Sequence, residues 1–171
     1  MVYIRAESIK DINDIHSINE RAFGRKNEAE LVDNLRKKKA TTLSLVAEVE
    51  GQIVGHILFS PIKVKPDNSH FNSVTLAPLA VLPEYQRNGI GSQLVKAGFE
   101  ECSILGNDFV FVVGHPKYYP RFGFIQARVK GFICEFKVPD EAWMVFELGN
   151  QVSMEKGGTV YFHPEFKNAI D

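Results

Sequence analysis

The stretch that decides the fold is Leu79-Ala-Val-Leu-Pro-Glu-Tyr-Gln-Arg-Asn-Gly-Ile-Gly-Ser92. Its apolar beginning is typical of a β-strand that ends at Pro83, and a helical pattern begins at Ser92. Gly89 and Gly91 stand at this junction, where glycine lets the backbone come close to a ligand. The helix N-terminus adds unpaired N–H donors and the positive end of the helix dipole. The stretch therefore predicts a loop that binds pyrophosphate.

Two other phosphate-binding loops do not fit this stretch. A Walker loop requires Gly-x-x-x-x-Gly-Lys-Ser/Thr, and neither that glycine spacing nor the lysine is present. The dinucleotide fingerprint requires a third small residue three positions after Gly91, where Leu94 stands, and a later acidic residue that is also missing. The loop itself is Gln86-Arg-Asn-Gly-Ile-Gly91, and the spacing of its glycines differs from that of both other loops.

The segment before this loop contains an interruption. Phe71 to Val81 is predicted to be one extended strand, yet Pro78 lies within it. Proline cannot donate a hydrogen bond to a sheet, so inside a strand it marks an edge or a bulge. We predict a bulge that separates this strand from its neighbour and leaves backbone groups near Leu79, Ala80 and Val81 unpaired.

The segment after the predicted helix supplies a second strand and two tyrosines. Asn107 to Val113 is apolar and rich in β-branched and aromatic residues, as expected of a buried strand. Gly114-His-Pro-Lys-Tyr-Tyr-Pro-Arg-Phe-Gly-Phe124 follows, and Tyr119 stands four residues before Gly123.

This order of strand, loop, helix, strand and tyrosine resembles the GNAT superfamily of acyl-CoA-dependent N-acetyltransferases. Gln86 to Gly91 matches the superfamily's Gln/Arg-x-x-Gly-x-Gly/Ala loop, and Tyr119 matches the tyrosine that commonly precedes Gly-Phe. The likeness runs from Tyr3 to the region of Pro164 and points to a bacterial branch of predicted acetyltransferases. It departs from many members at Val112, where they have an asparagine that contacts the pantetheine.

The resemblance implies an α/β fold with a mixed, mostly antiparallel sheet, a splayed central strand and flanking helices. It also implies acetyl-CoA as the co-substrate. Pantetheine would pair with the strand at Leu79, Ala80 and Val81, and Tyr119 would protonate the departing thiolate, with Tyr118 as the alternative acid. The residues expected around the pyrophosphate are Gln86, Arg87, Asn88, Gly89, Ile90, Gly91 and Ser92.

Acyl transfer requires two further groups, a hydrogen-bond donor to the thioester oxygen and a general base. The backbone N–H of Val81, freed at the bulge, would stabilise the developing charge on the thioester oxygen. His115 is the preferred candidate for the general base because it follows the central strand, where ligand-facing residues usually lie. Glu84, near the phosphate loop, is the alternative base or else a solvated loop carboxylate. Glu20 and His56 are weaker candidates, and we interpret His56 as a strand residue with a satisfied hydrogen bond.

Composition limits the class of protein. The chain has 171 residues, of which 44% are hydrophobic and 24% charged, so we predict a single domain over residues 1–171. Its net charge of −1 provides no general attraction for nucleic acid. Two cysteines and the spacing of five histidines predict neither a disulfide framework nor a metal site. No segment suggests a signal peptide or a membrane span, and we predict a cytoplasmic location.

We therefore predict an N-acetyltransferase in which a primary amine attacks acetyl-CoA directly in a ternary complex. The alternative is a CoA-binding regulatory or sensing domain on the same fold, with little catalysis. The acceptor stays open among small amines, aminoglycoside-like compounds, peptide N-termini and lysine side chains. Glu28, Glu30 and Asp33 could attract a cationic amine, but we interpret them as a solvated helix face.

The remaining elements are predicted from local patterns. Ser8 and Asp11 form a capping box before a helix that ends near Gly24, and Asn27 with Glu30 caps a second helix. Further strands are expected in the ranges 43–49, 52–59, 132–138 and 143–148, with a polar excursion from Pro61 to His70. Gly157 to Phe166 is expected to add an edge strand, which would allow pairing across a homodimer.

Overall fold

The structure is a computed structural model that describes residues 1–66, 72–149 and 157–169. Within these ranges the chain forms three α-helices and ten β-strands. The helices are α1 (Ile12–Phe23), α2 (Asn27–Lys37) and α3 (Ile90–Ile104). The strands are β1 (Val2–Ala6), β2 (Leu43–Val49), β3 (Gln52–Pro61), β4 (Lys63–Lys65), β5 (Ser73–Val81), β6 (Phe109–Val113), β7 (Ile125–Gln126), β8 (Phe132–Cys134), β9 (Trp143–Glu147) and β10 (Gly158–Tyr161).

Seven of the described strands form one mixed sheet in the order β1-β2-β3-β5-β6-β9-β7. All neighbouring pairs in this sheet are antiparallel except β5 and β6, which are parallel. The hairpin between β2 and β3 turns at Glu50 and Gly51, both with positive φ, as a tight two-residue turn requires. The predicted α/β fold with a mixed, mostly antiparallel sheet is confirmed.

The central strands separate as the sequence predicts. β5 pairs with β6 only at Ser73, Val74 and Thr75, after which the two strands diverge. On its other side, β5 has one extra residue between Leu76 and Leu79, opposite Ile57 to Phe59 of β3. This is a β-bulge, and it contains Pro78. Phe71, the predicted start of the strand, lies outside the described residues.

A second sheet of three strands has the order β4-β10-β8. β4 lies within the predicted polar excursion from Pro61 to His70, whose last four residues are outside the described ranges. β10 is paired on both sides, antiparallel to β4 and parallel to β8. The prediction of a C-terminal edge strand is therefore wrong, because β10 is the centre of its sheet. A homodimer stays a prediction without that strand as its support.

Local signals place the first two helices. Ser8 and Asp11 form the predicted capping box, and α1 ends at Gly24 in the left-handed conformation, φ 68°. Asn27 is the first residue of α2 rather than its cap, since Lys26 occupies the cap position without a side-chain hydrogen bond. The predicted cap is wrong, although the helix is correct.

The main sheet has a hydrophobic cluster on each face. On one face α1 and α2 cover Phe111, Trp143 and the C-terminal Phe166, all buried. On the other face α3 covers Ile57 and Phe59. Burying each such side chain contributes roughly 1.5–3 kcal/mol. No helix among the described residues is long and apolar enough to cross a membrane.

Candidate active site

The divergence of β5 and β6 opens a cavity of about 830 Å³. One side is the α3 wall, formed by Leu79 and Val81 of β5 and the loop that leads into α3. The facing side is the α2 wall, formed by the α1–α2 connection, α2 and the C-terminal segment. Its residues are Phe23, Arg25, Glu28, Leu31, Phe162, Phe166 and Ala169. The single cavity therefore reaches both faces of the sheet.

The predicted phosphate loop stands at the N-terminus of α3. Pro83–Tyr85 forms a 3-10 helix, and α3 begins at Ile90 with Gly89 in the left-handed conformation, φ 82°. A β-carbon on Gly91 would lie 2.7 Å from the hydroxyl oxygen of Tyr118, so a side chain there would require that hydroxyl to shift. The first N–H groups of α3 have no partner within the helix, which suits an anion.

Two side chains predicted to bind the co-substrate instead hold the loop itself. Gln86 Nε2 donates a hydrogen bond to the carbonyl oxygen of Val81 at 2.9 Å. Asn88 Nδ2 donates to the carbonyl oxygen of Tyr85 at 3.3 Å. Gln86 lines the cavity, and so do Arg87, Gly89, Ile90, Gly91 and Ser92, whereas Asn88 does not.

The backbone of β5 offers hydrogen-bonding groups to the cavity at alternate residues. Leu82 donates its N–H to Val54 of β3 at 2.9 Å. Because N–H groups alternate between the two sides of a strand, Val81 and Leu79 direct theirs away from β3, toward the opening. Ala80 is buried opposite His56 and does not line the cavity. Of the three residues predicted along pantetheine, the structure brings two to the cavity.

The two adjacent tyrosines both line the cavity but differ in surroundings. Tyr118 lies with its hydroxyl at Gly91 and hydrogen-bonded to Ser92, and Arg121 stacks 4.6 Å above its ring. Tyr119 packs against Gly114, at the end of β6, and edge-on against Phe124. Burial raises the pKa of both phenols, so each is protonated at neutral pH.

His115 lies exposed on the cavity wall. Its Nδ1 accepts a hydrogen bond from the backbone N–H of Lys117 at 3.1 Å. The neutral ring therefore carries its proton on Nε2. A proton taken from an amine would have to enter at Nδ1, which is already engaged, so this arrangement does not favour His115 as a base.

The weaker candidate bases lie elsewhere. His56 is fully buried and bonds to Asn19 at 3.1 Å and to Ser44 at 2.9 Å, which confirms that it is a satisfied strand residue. Burial lowers the pKa of His56 to about 4. Glu84 pairs on the surface with Arg21 at 2.9 Å, and neither Glu84 nor Glu20 lines the cavity.

Glu28 is the residue that the sequence interpretation misplaced. It was assigned to a solvated helix face, yet it is 9% exposed and lines the cavity beside Arg25. Glu28 shares its helix face with Leu31 and Leu35, at spacings of three and seven residues, so helical periodicity could have placed it inward. Among the described residues, no group of three or more His, Cys, Asp or Glu could hold a metal ion.

Comparison with known proteins decides the family. Residues 3–127 match the acetyltransferase (GNAT) domain. The chain belongs to the GNAT family of N-acetyltransferases. The uncharacterized N-acetyltransferase YjhQ of Escherichia coli K12 is 42% identical over 147 residues, which cover 82% of this chain and 81% of YjhQ. YhbS of the same strain, also an uncharacterized N-acetyltransferase, is 34% identical over 95% of this chain and 97% of its own.

Solved structures agree with this GNAT assignment. The crystal structure of YhbS from E. coli in complex with CoA has a TM-score of 0.92 at 34% identity, covering 97% of this chain and 92% of that one. A GNAT acetyltransferase from Brucella melitensis, in complex with acetyl-CoA, has a TM-score of 0.79 at 32% identity, covering 97% and 98%. The predicted family, fold and enzyme class, an acetyl-CoA-dependent N-acetyltransferase, are confirmed.

Proposed function

We propose that this GNAT protein transfers the acetyl group of acetyl-CoA to a primary amine by direct attack in a ternary complex. The observation that carries the proposal is the single cavity between β5 and β6. It joins an anion-binding loop and outward strand groups on the α3 wall to the mostly apolar α2 wall. Two substrates can therefore meet at the opening between the strands.

Acetyl-CoA is assigned to the α3 wall. Its pyrophosphate would bind the N–H groups at the start of α3, with Arg87 and Arg121 supplying positive charge. Its pantetheine amides would pair with the outward N–H of Val81 and the outward carbonyl of Leu79, as an added strand does, since the carbonyl of Val81 already accepts from Gln86. The CoA and acetyl-CoA complexes of the two relatives support this assignment.

The reaction then follows from positions on this wall. The amine nitrogen attacks the thioester carbon, and the N–H of Leu79 stabilises the negative charge that develops on the carbonyl oxygen. Leu79 takes the place of the expected Val81 in this role, because Val81 lies nearer the phosphate loop and its N–H pairs with pantetheine. The carbon–sulfur bond breaks as Tyr119 protonates the departing thiolate. The nitrogen loses its surplus proton to solvent, and Tyr119 regains a proton from solvent. Tyr119 is preferred to Tyr118 because it stands at the end of β6, whereas the Tyr118 hydroxyl is bonded to Ser92 at the loop.

The test combines binding with turnover. Titration calorimetry should show that acetyl-CoA and CoA bind and that NADH does not. Thiol release should then require an added amine, with the acetylated product identified by mass spectrometry. Binding without amine-dependent thiol release would reject the transfer reaction and favour a CoA-sensing domain. The cytoplasmic location and the homodimer remain predictions.

A further inference from the structure

The α2 wall contains a carboxylate that the structure keeps almost out of solvent. Glu28 lies in the first turn of α2 and is 9% exposed. Its two oxygens lie 3.0 and 2.6 Å from Nε and Nη2 of Arg25. A buried charge is costly unless it is paired and hydrogen-bonded. A carboxylate has about four lone-pair sites, so Glu28 keeps acceptor capacity for a ligand in the cavity.

The surroundings of this carboxylate are apolar. Phe23, Leu31, Phe162 and Phe166 line the same wall, and the last two are buried. The C-terminal segment that carries both phenylalanines is held against α2 by ion pairing between Lys38 and Glu165 at 2.8 Å. Glu28 already has its counter-charge in Arg25, and a further hydrogen bond to its carboxylate is stronger in such a low-dielectric site than it would be in water.

The charges around the cavity limit what this wall can bind. Among the described lining residues Glu28 is the only carboxylate, whereas Arg25, Arg87 and Arg121 are all cationic. A polyamine or an aminoglycoside carries several positive charges and would need several carboxylates to offset its desolvation. A ligand with one ammonium group and an otherwise uncharged skeleton is complementary to this wall, which has one carboxylate among aromatic rings.

We propose that the acceptor is a small primary amine with one positive charge and an aromatic or branched aliphatic skeleton. Its ammonium group binds the carboxylate of Glu28 and gives up one proton to solvent before the neutral nitrogen attacks the thioester. Its skeleton packs among Phe23, Phe162 and Phe166. This inference rests on the proposed acetyl transfer and names the substrate class for the α2 wall.

Direct binding provides the first test. Phenethylamine, 2-phenylethanol and spermidine are titrated into the CoA-saturated protein, so that no turnover occurs. We expect phenethylamine to bind about 10- to 100-fold more tightly than the alcohol, which lacks the ammonium group. Spermidine should bind more weakly than phenethylamine.

A matched pair of variants assigns the effect to Glu28. Glu28→Gln should weaken phenethylamine binding about 10- to 100-fold and leave CoA affinity within about twofold. Glu30→Gln, at an exposed position of the same helix, should change neither. Should Glu28→Gln fail to fold, Phe23→Ser serves instead, since Phe23 is 41% exposed. It should weaken phenethylamine binding about tenfold without affecting CoA.

Turnover with the same amines separates this inference from the proposed function. We expect phenethylamine and isoamylamine to be acetylated in preference to spermidine and kanamycin, and Glu28→Gln to raise the KM of the preferred amines. This result would support both the acetyl transfer and the substrate class. If the polycations are preferred, or if Glu28→Gln does not change phenethylamine binding, the substrate class is wrong and the proposed acetyl transfer is unaffected. If phenethylamine binds through Glu28 but is never acetylated, the proposed acetyl transfer is rejected and the amine-binding site is supported. If no amine binds, the inference is wrong.

Discussion

At the scale of single residues, the two adjacent tyrosines have different roles in the proposed reaction. Tyr118 reaches the phosphate loop, where its hydroxyl meets Ser92, and Tyr119 stands where the strands open. The resemblance to the GNAT superfamily indicates Tyr119, but the sequence does not show that the neighbouring hydroxyl belongs to the loop. That distinction depends on a contact between Tyr118 and Gly91, residues distant in the chain.

The assignment of Tyr119 as the acid is tested by removing one hydroxyl at a time. Tyr119→Phe should lower kcat, by up to about 10²–10⁴-fold, because the thiolate would leave without a proton. The Kd of acetyl-CoA, measured by calorimetry, should stay unchanged. Tyr118→Phe should instead weaken acetyl-CoA binding with a smaller effect on kcat. The reverse result would assign the acid to Tyr118.

His115 illustrates a residue whose position agrees with a catalytic role while its hydrogen bonding does not. Because Nδ1 accepts the N–H of Lys117, we expect His115→Ala to leave the acidic limb of the kcat/KM pH profile in place. The measurement is the rate of thiol release from pH 5.5 to 9 with saturating acetyl-CoA. A flattened acidic limb in the variant would identify His115 as the base after all.

At the scale of elements, α3 approaches the sheet through a glycine. Gly98 is buried, and a β-carbon there would lie 2.5 Å from two ring carbons of the fully buried Phe59. Gly98→Val should reduce the free energy of unfolding by about 1–3 kcal/mol through overpacking. Urea denaturation measures the change.

Two controls accompany the Gly98 prediction. Lys96→Val introduces the same side chain at an exposed position of the same helix, and it should cost only the difference in helix propensity, below about 1 kcal/mol. Combining Gly98→Val with Phe59→Leu should recover part of the loss, because the two side chains compete for one space. Equal effects of the two valines would show that packing against Phe59 is unimportant.

The elements also show how far the sequence was informative. The bulge at Pro78 and the capping box at Ser8 are encoded locally, and both were predicted correctly. The pairing of β4, β10 and β8 was missed because these short strands come from distant parts of the chain and depend on tertiary contacts. The inward position of Glu28 was missed because a charged residue on a helix was interpreted as solvated.

At the scale of the whole molecule, the buried imidazole of His56 links stability to pH. Its pKa is about 4 in the folded protein, against about 6.5 when exposed in the unfolded chain. Between these values the unfolded chain binds a proton that the folded protein does not, so stability is complete above pH 6.5 and falls as the pH drops toward 4.

This linkage is measured by urea denaturation at pH 7.5 and pH 5, where most carboxylates remain ionised. The free energy of unfolding should fall by about 2 kcal/mol between the two conditions. His56→Gln, although less stable throughout, should show a smaller difference between them. An equal difference in the wild type and the variant would mean that other groups cause the acid sensitivity.

The α2 wall has a consequence for how such proteins diversify. The family domain matches residues 3–127 and so contains the loop, the bulge and both tyrosines. Phe162 and Phe166 lie beyond it, on the segment that follows β10. The cavity is thus formed by two separate parts of the chain. Under the proposed amine assignment, substitutions at Phe162 and Phe166 would alter the choice of amine without changing the loop, the bulge or either tyrosine.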